Sequence, residues 1–194
     1  MRTLILFGCL CAFLCAVPAS AKVAAIPIED LVTESDEIVV AVVTEAPPGS
    51  TSDMKPVYAS AVVQRTLKGS LAGTFRFLAA PTWSCDISSA VKGETVLLFL
   101  KRQDDSSFII QHAGRGRMPL RVVGGRTYVT LWNDIRLPHA APTVAGPDPK
   151  YDFIVSVELT YVEALILKQK GRPNKQLQPI ARRWAPAERQ RYTI

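Results

Sequence analysis

The chain has 194 residues, of which 48% are apolar and only four are Cys, and its formal net charge is +6. That balance excludes a multi-spanning membrane protein, a disulfide-rich toxin and a fully disordered chain, and the length suits one domain. The basic excess does not indicate a nucleic-acid-binding protein: residues 22–170 carry 16 basic and 16 acidic side chains, whereas such a domain keeps a cationic footprint on its folded surface.

The first predicted element is a secretory signal over residues 1–21. Arg2 gives the positive start, Leu4 to Val17 is an apolar run of 14 residues, and Ala19-Ser20-Ala21 is a cleavage site that would leave Lys22 first. No later apolar run is long enough to span a bilayer, so a periplasmic or secreted chain without a membrane span is expected. Cys9, Cys11 and Cys15 leave with the signal. Cys85 remains alone, which excludes an intramolecular disulfide; a buried thiol is expected, with an intermolecular bridge as the alternative.

Pro27-Ile28-Glu29-Asp30 then starts a short helix, with the proline in the first turn, acids near the positive end of the dipole, and Ile28, Leu31 and Val32 on one face. Ile38 to Val43 is apolar on both faces. It reads as a central strand with a barrel interior on one side and a helix on the other. After a loop over residues 46–55, Tyr58 to Leu67 and Thr74 to Leu78 form two strands joined through Lys68 to Gly73, with Phe75 and Phe77 opposite Thr74 and Arg76. Glu94 to Leu100 is a further strand apolar on both faces, Gln103 to Ser107 a turn, and Phe108-Ile109-Ile110 the next strand.

Gly114-Arg115-Gly116-Arg117 lacks the lysine and hydroxyl of a phosphate-binding loop and reads as a flexible connection. Leu120 to Val129 is the clearest hairpin, because Gly124 and Gly125 allow positive φ at both turn positions. Pairing Val123 with Arg126 puts Arg121, Val123, Arg126 and Tyr128 on an outward face and Leu120, Val122, Thr127 and Val129 on a buried one. A proline-rich loop follows from Pro138 to Pro149. Thr160-Tyr161-Val162-Glu163 matches a capping box opening a last helix, with Tyr161, Val162, Leu165 and Ile166 at helical spacing and Gly171 as its stop. Residues 171–194 read as a basic, disordered tail outside the domain of residues 22–170.

Leu67-Lys68-Gly69 and Gly93-Glu94-Thr95-Val96-Leu97-Leu98-Phe99-Leu100, set between a short helix with Glu34-Ser35-Asp36 and a C-terminal helix, resemble the exported bacterial relatives of the tissue inhibitors of metalloproteinases, the netrin-module group. The likeness covers about residues 28–170. It implies a mainly β fold: an OB-like barrel of five to seven strands with a short N-terminal helix and a C-terminal helix. Both motifs are framework motifs and speak to fold. In the animal inhibitors an N-terminal Cys reaches the target's zinc; Lys22 stands there here, so the resemblance does not imply inhibition by that mode.

No catalytic set, cofactor site or metal site is expected. His112 and His139 are the only histidines, and no H-E-x-x-H, C-x-x-C or G-x-S-x-G spacing exists. The candidate ligand contacts are Arg115, Arg117, Arg121 and Arg126, gathered on the outward hairpin face with Tyr128, since OB-type barrels bind extended ligands across an exposed strand face. A polar outer face on a half-buried hairpin explains the same residues without a ligand. Trp83 either closes the barrel end or adds a contact. The leading expectation is therefore a non-enzymatic binding module whose partner is an envelope protein or an anionic glycan, and the alternative is a small periplasmic enzyme with a dispersed site.

Overall fold

The computed structural model describes residues 25–47, 56–81, 85–103, 106–138, 141, 143–144 and 155–170. The segment read as a signal, Lys22, Trp83, His139 and the basic C-terminal stretch lie outside the described residues. Strand β1 is Ile26–Pro27, helix α1 Ile28–Glu34, β2 Glu37–Glu45, β3 Tyr58–Lys68, β4 Thr74–Leu78, β5 Thr95–Arg102 and β6 Phe108–Ile110. They are followed by β7 Arg117–Val123, β8 Arg126–Thr130, β9 Ile135–Arg136, β10 Thr143–Val144, β11 Ser156–Glu158 and helix α2 Leu159–Lys170.

The strands β2, β3, β4, β6 and β5 pair in that order, and β5 returns to β2, so five strands close into an OB-like barrel. Closure removes the sheet edges that would otherwise invite aggregation. β5 serves two neighbours along one edge: Leu100 to Arg102 pair with β6, and Val96 to Leu98 pair with β7. From β7 the sheet continues through β8 and β11 to β10, while β1 and β9 form a short parallel pair. The proline-rich segment therefore contains β10, against the loop expected there, because its backbone finds a partner in β11.

Alternation along β2 sorts its side chains into two cores. Val39, Ala41 and Val43 point into the barrel with Ala59, Ala61, Phe75, Phe77, Leu98, Phe108 and Ile110. Small residues on β3 lie across from large ones on β4, as a barrel this narrow requires. Phe108 meets Phe75 edge-on with centroids 5.9 Å apart. Ile38 and Val40 point outward and pack with Leu97 and Phe99 against Ile28, Leu31 and Val32 of α1 and Val162 and Ile166 of α2. The two-sided strand read from residues 38–43 thus has a barrel on one side and helices on the other.

Pro27 is the N-cap residue of α1, one position earlier than expected, and Glu29 and Asp30 occupy the first turn. At the other end Lys68 Nζ donates to Val32 O at 2.7 Å and Thr33 O at 3.2 Å. A cation on the last carbonyls of a helix satisfies orphan acceptors and suits the dipole. Burial lowers the Lys68 pKa, against the upward pull of nearby Asp36. Glu37 accepts from the amides of Ser70 and Leu71 at 2.8 and 2.9 Å. Leu67-Lys68-Gly69 therefore ties the β3–β4 turn to α1, which is a framework task.

Asp36 fastens the same end of the barrel, accepting from Lys101 Nζ and the Arg102 amide, each at 2.9 Å. Burial raises its pKa, but the amide, Lys101 and Lys68 outweigh burial and hold the carboxyl below its ordinary value of 3.8. A depressed folded pKa contributes stability that is complete above the ordinary value and lost as the pH falls through the folded one. Asp36→Asn should therefore be less stable than wild type at neutral pH, and the gap should close in acid. Denaturant titrations at several pH values check this; a pH-independent gap would show that the hydrogen bond from the Arg102 amide alone matters.

The final helix begins at Leu159, so Thr160 lies inside it, and the Glu163 carboxylate meets Arg65 of β3. The capping box is replaced by a tertiary ion pair.

Candidate functional site

Beyond the barrel, the β7–β8 hairpin and the outer faces of β2, β3 and β5 enclose an open groove of about 440 Å³. Val40, Leu120, Val122 and Leu159 give it apolar walls, and Gln64, Arg65, Thr95, Arg121 and Thr127 supply its polar atoms. No acidic side chain is among the described residues that line it. Arg65 on β3 brings a cation to this lining, whereas the register of the hairpin puts the Arg121 side chain on the face opposite Leu120, Val122 and Thr127.

Arg65 reaches the groove through a β-bulge. Plain alternation from Ala59, Ala61 and Val63 would place it inside the barrel, where an unpaired charge is prohibitive. Ala41 pairs with Val63 and Val40 with Arg65, leaving Gln64 as an extra residue. The bulge turns Arg65 onto the outer face beside Val40, the kind of re-aiming that bulges provide. Through Nη2 it donates to Glu163 of α2.

The hairpin has the expected register, Val123 opposite Arg126 and Arg121 opposite Tyr128, with φ of 57° at Gly124 and 76° at Gly125. Its inner face covers the groove rather than a closed core, so Val122, expected to be buried, is 71% exposed. Tyr128, expected outward, is buried, because β11 pairs along β8 and places Glu158 opposite it. That strand also supplies an acid to Arg126, whose Nη1 lies 3.6 Å from Glu158 Oε2. The arginine face is therefore not free of opposite charge.

Arg115 and Arg117 do not join an outward cluster. Arg115 is 8% exposed and pairs with Asp134, while also donating to Cys85 O and His112 O, both at 3.3 Å. Arg117 is 3% exposed, and its guanidinium grips Glu94 with both forks, Nε to Oε1 at 2.9 Å and Nη2 to Oε2. Both sit where the β6–β7 turn folds back onto the barrel, so burial selects them as structural cations. That turn is close-packed, in place of the flexible connection expected: His112 and Ala113 have φ of 50° and 52°, followed by Gly114 at 89°. Cys85 is exposed, in place of the buried thiol expected.

Of the candidate contacts, then, Arg121 lines the groove, Arg126 and Tyr128 stand beside it on β8, Arg115 and Arg117 are buried in ion pairs, and Trp83 lies outside the described residues. Arg65 was not among them. His112 Nε2 lies 2.9 Å from Glu34 Oε2 at the end of α1. Among the described residues no group of three or more His, Cys, Asp and Glu is placed to hold a metal ion, and no helix is long and apolar enough to cross a membrane.

No family model, curated protein or solved structure matches the chain.

Proposed function

We propose that the protein is an exported, non-enzymatic binding module that takes an anionic component of the cell envelope in the groove beside the β7–β8 hairpin. The observation that carries this reading is the lining of the groove: Arg65, turned outward by the bulge, stands beside the polar atoms of Gln64, Thr95 and Thr127 over the apolar walls of Val40, Leu120, Val122 and Leu159. A barrel filled by side chains, with an open groove on its flank, suits holding a ligand at the surface. The closed five-stranded barrel supports an OB-like fold, and kinship with the netrin-module group rests on the resemblance of the framework motifs. The site is then the flank of the barrel, not the arginine row read from the hairpin.

The test is a titration with dextran sulfate at low and high ionic strength. Arg65→Gln combined with Arg121→Gln should weaken binding by about tenfold or more at low salt, the consequence of losing charge-assisted hydrogen bonds. The difference should shrink as salt screens the charges. A melting curve for each protein separates lost binding from the lost Arg65–Glu163 pair. Equal affinity for wild type and the double variant would remove the groove from the function.

A further inference from the structure

We propose that two copies of the chain associate through the free edge of β7, their hairpins pairing antiparallel about a two-fold axis that sets Val122 opposite the partner's Val122. β5 accompanies β7 only from Arg117 to Pro119. Beyond Pro119 no strand among the described residues pairs with that edge, while β8 takes the other edge as far as Val123. Val122 is 71% exposed and Val123 51%, and a Cβ added at Gly124 or Gly125 would meet nothing within 4 Å, so the arm ends in open space.

The phase of the hairpin decides what this edge offers. A two-residue turn with positive φ at both positions is flanked by a pair that exchanges both backbone bonds, here Val123 with Arg126. Bonding alternates along an antiparallel ladder, so Arg121 bonds to Tyr128, and Val122 turns its N–H and C=O away from β8. No backbone bond ties either group to another described residue. An unpaired edge is a template for a further strand, and proteins blunt such edges with lysine, proline or a bulge. Residues 122–125 are Val-Val-Gly-Gly, without charge, and the one proline of β7 stands before them at position 119.

A second copy fits because the edge is self-complementary. With the axis at Val122, each Val122 N–H donates to the C=O of the partner's Val122, and the two valine side chains lie side by side on the face of Leu120, at the lip of the groove. On the opposite face the same register sets Arg121 across from the partner's Val123. Moving the axis to Arg121 would put like charges directly opposite one another, so charge selects the register at Val122. The contact is small, which makes the dimer a weak one with a Kd between about 1 μM and 1 mM.

The test is sedimentation of the purified protein from about 1 μM to about 1 mM, in reducing buffer so that the exposed Cys85 cannot bridge copies. Wild type should pass from monomer to dimer over that range. Val122→Pro removes an amide that the hairpin does not use, and should keep the melting temperature while weakening association by about tenfold or more. Val122→Lys brings two ammonium groups together at the axis, and should weaken association as much at low salt and less at high salt. It also decides the matter should the proline unfold the hairpin. A wild type that stays monomeric to about 1 mM would overturn the proposal. So would variants that associate as wild type does, or assemblies that grow past the dimer, as a contact without two-fold closure gives.

Discussion

Gly114→Ala should be among the most damaging single substitutions in the protein, costing about 2–5 kcal/mol, the sum of a left-handed backbone penalty and overlap with neighbouring main chain. Gly114 has a φ of 89°, and a Cβ built there would overlap the Ser88 nitrogen and the Ile87 carbonyl carbon. The overlap is with backbone, so no side chain can swing away. The backbone in question is fixed from the same turn, since the Ile87 amide donates to Ala113 O at 2.9 Å. Moving one strand of chain therefore drags the other, and with it Arg115, whose guanidinium is held by Asp134. Gly124 is the comparison: its φ is 57°, yet nothing lies within 4 Å of the added atom. Gly124→Ala should cost only the backbone term, about 1–2 kcal/mol. Denaturant midpoints at unchanged slope measure both. Equal losses would mean that the 85–90 segment yields without strain, and that the turn is not the clamp described here.

The contrast between those glycines also shows how the sequence speaks. Gly124-Gly125 sits between two alternating runs, so its turn type and the register of the hairpin follow from local chemistry alone. Ile38 to Val43 is likewise legible, because alternation sorts its side chains and both sets are apolar. What could not be read depends on pairings distant in sequence. The ion pair of Arg126 with Glu158 and the burial of Tyr128 are decided by β11, three residues whose pattern is too short to register and whose partner lies some way back in the chain. Arg65 is hidden by the opposite problem: the pattern around it is clear and misleads, since an extra residue at Gln64 reverses its face. A charge in an otherwise inward-facing series was the one available signal that a bulge must intervene. Arg117 looked like its neighbour Arg121 because nothing local marks Glu94, 23 positions earlier, as its partner.

That pair gives the second large effect. Glu94→Leu should cost about 3–5 kcal/mol, because it strands a buried guanidinium that cannot shed its charge. Arg117 is almost fully buried, and its bidentate contact with Glu94 is the charge-compensating one. Arg117→Met should cost less. The Glu94 side chain is somewhat more exposed and keeps a hydrogen bond from the Val91 amide at 2.9 Å, so it is less completely stranded. The double replacement, Glu94→Leu with Arg117→Met, removes both charges together and should return to within about 1 kcal/mol of wild type, because desolvation offsets most of what a buried ion pair gains. A double-mutant cycle in denaturant measures the coupling. Additive losses would show that Arg117 and Glu94 act separately, the arginine through packing and the glutamate through the Val91 amide.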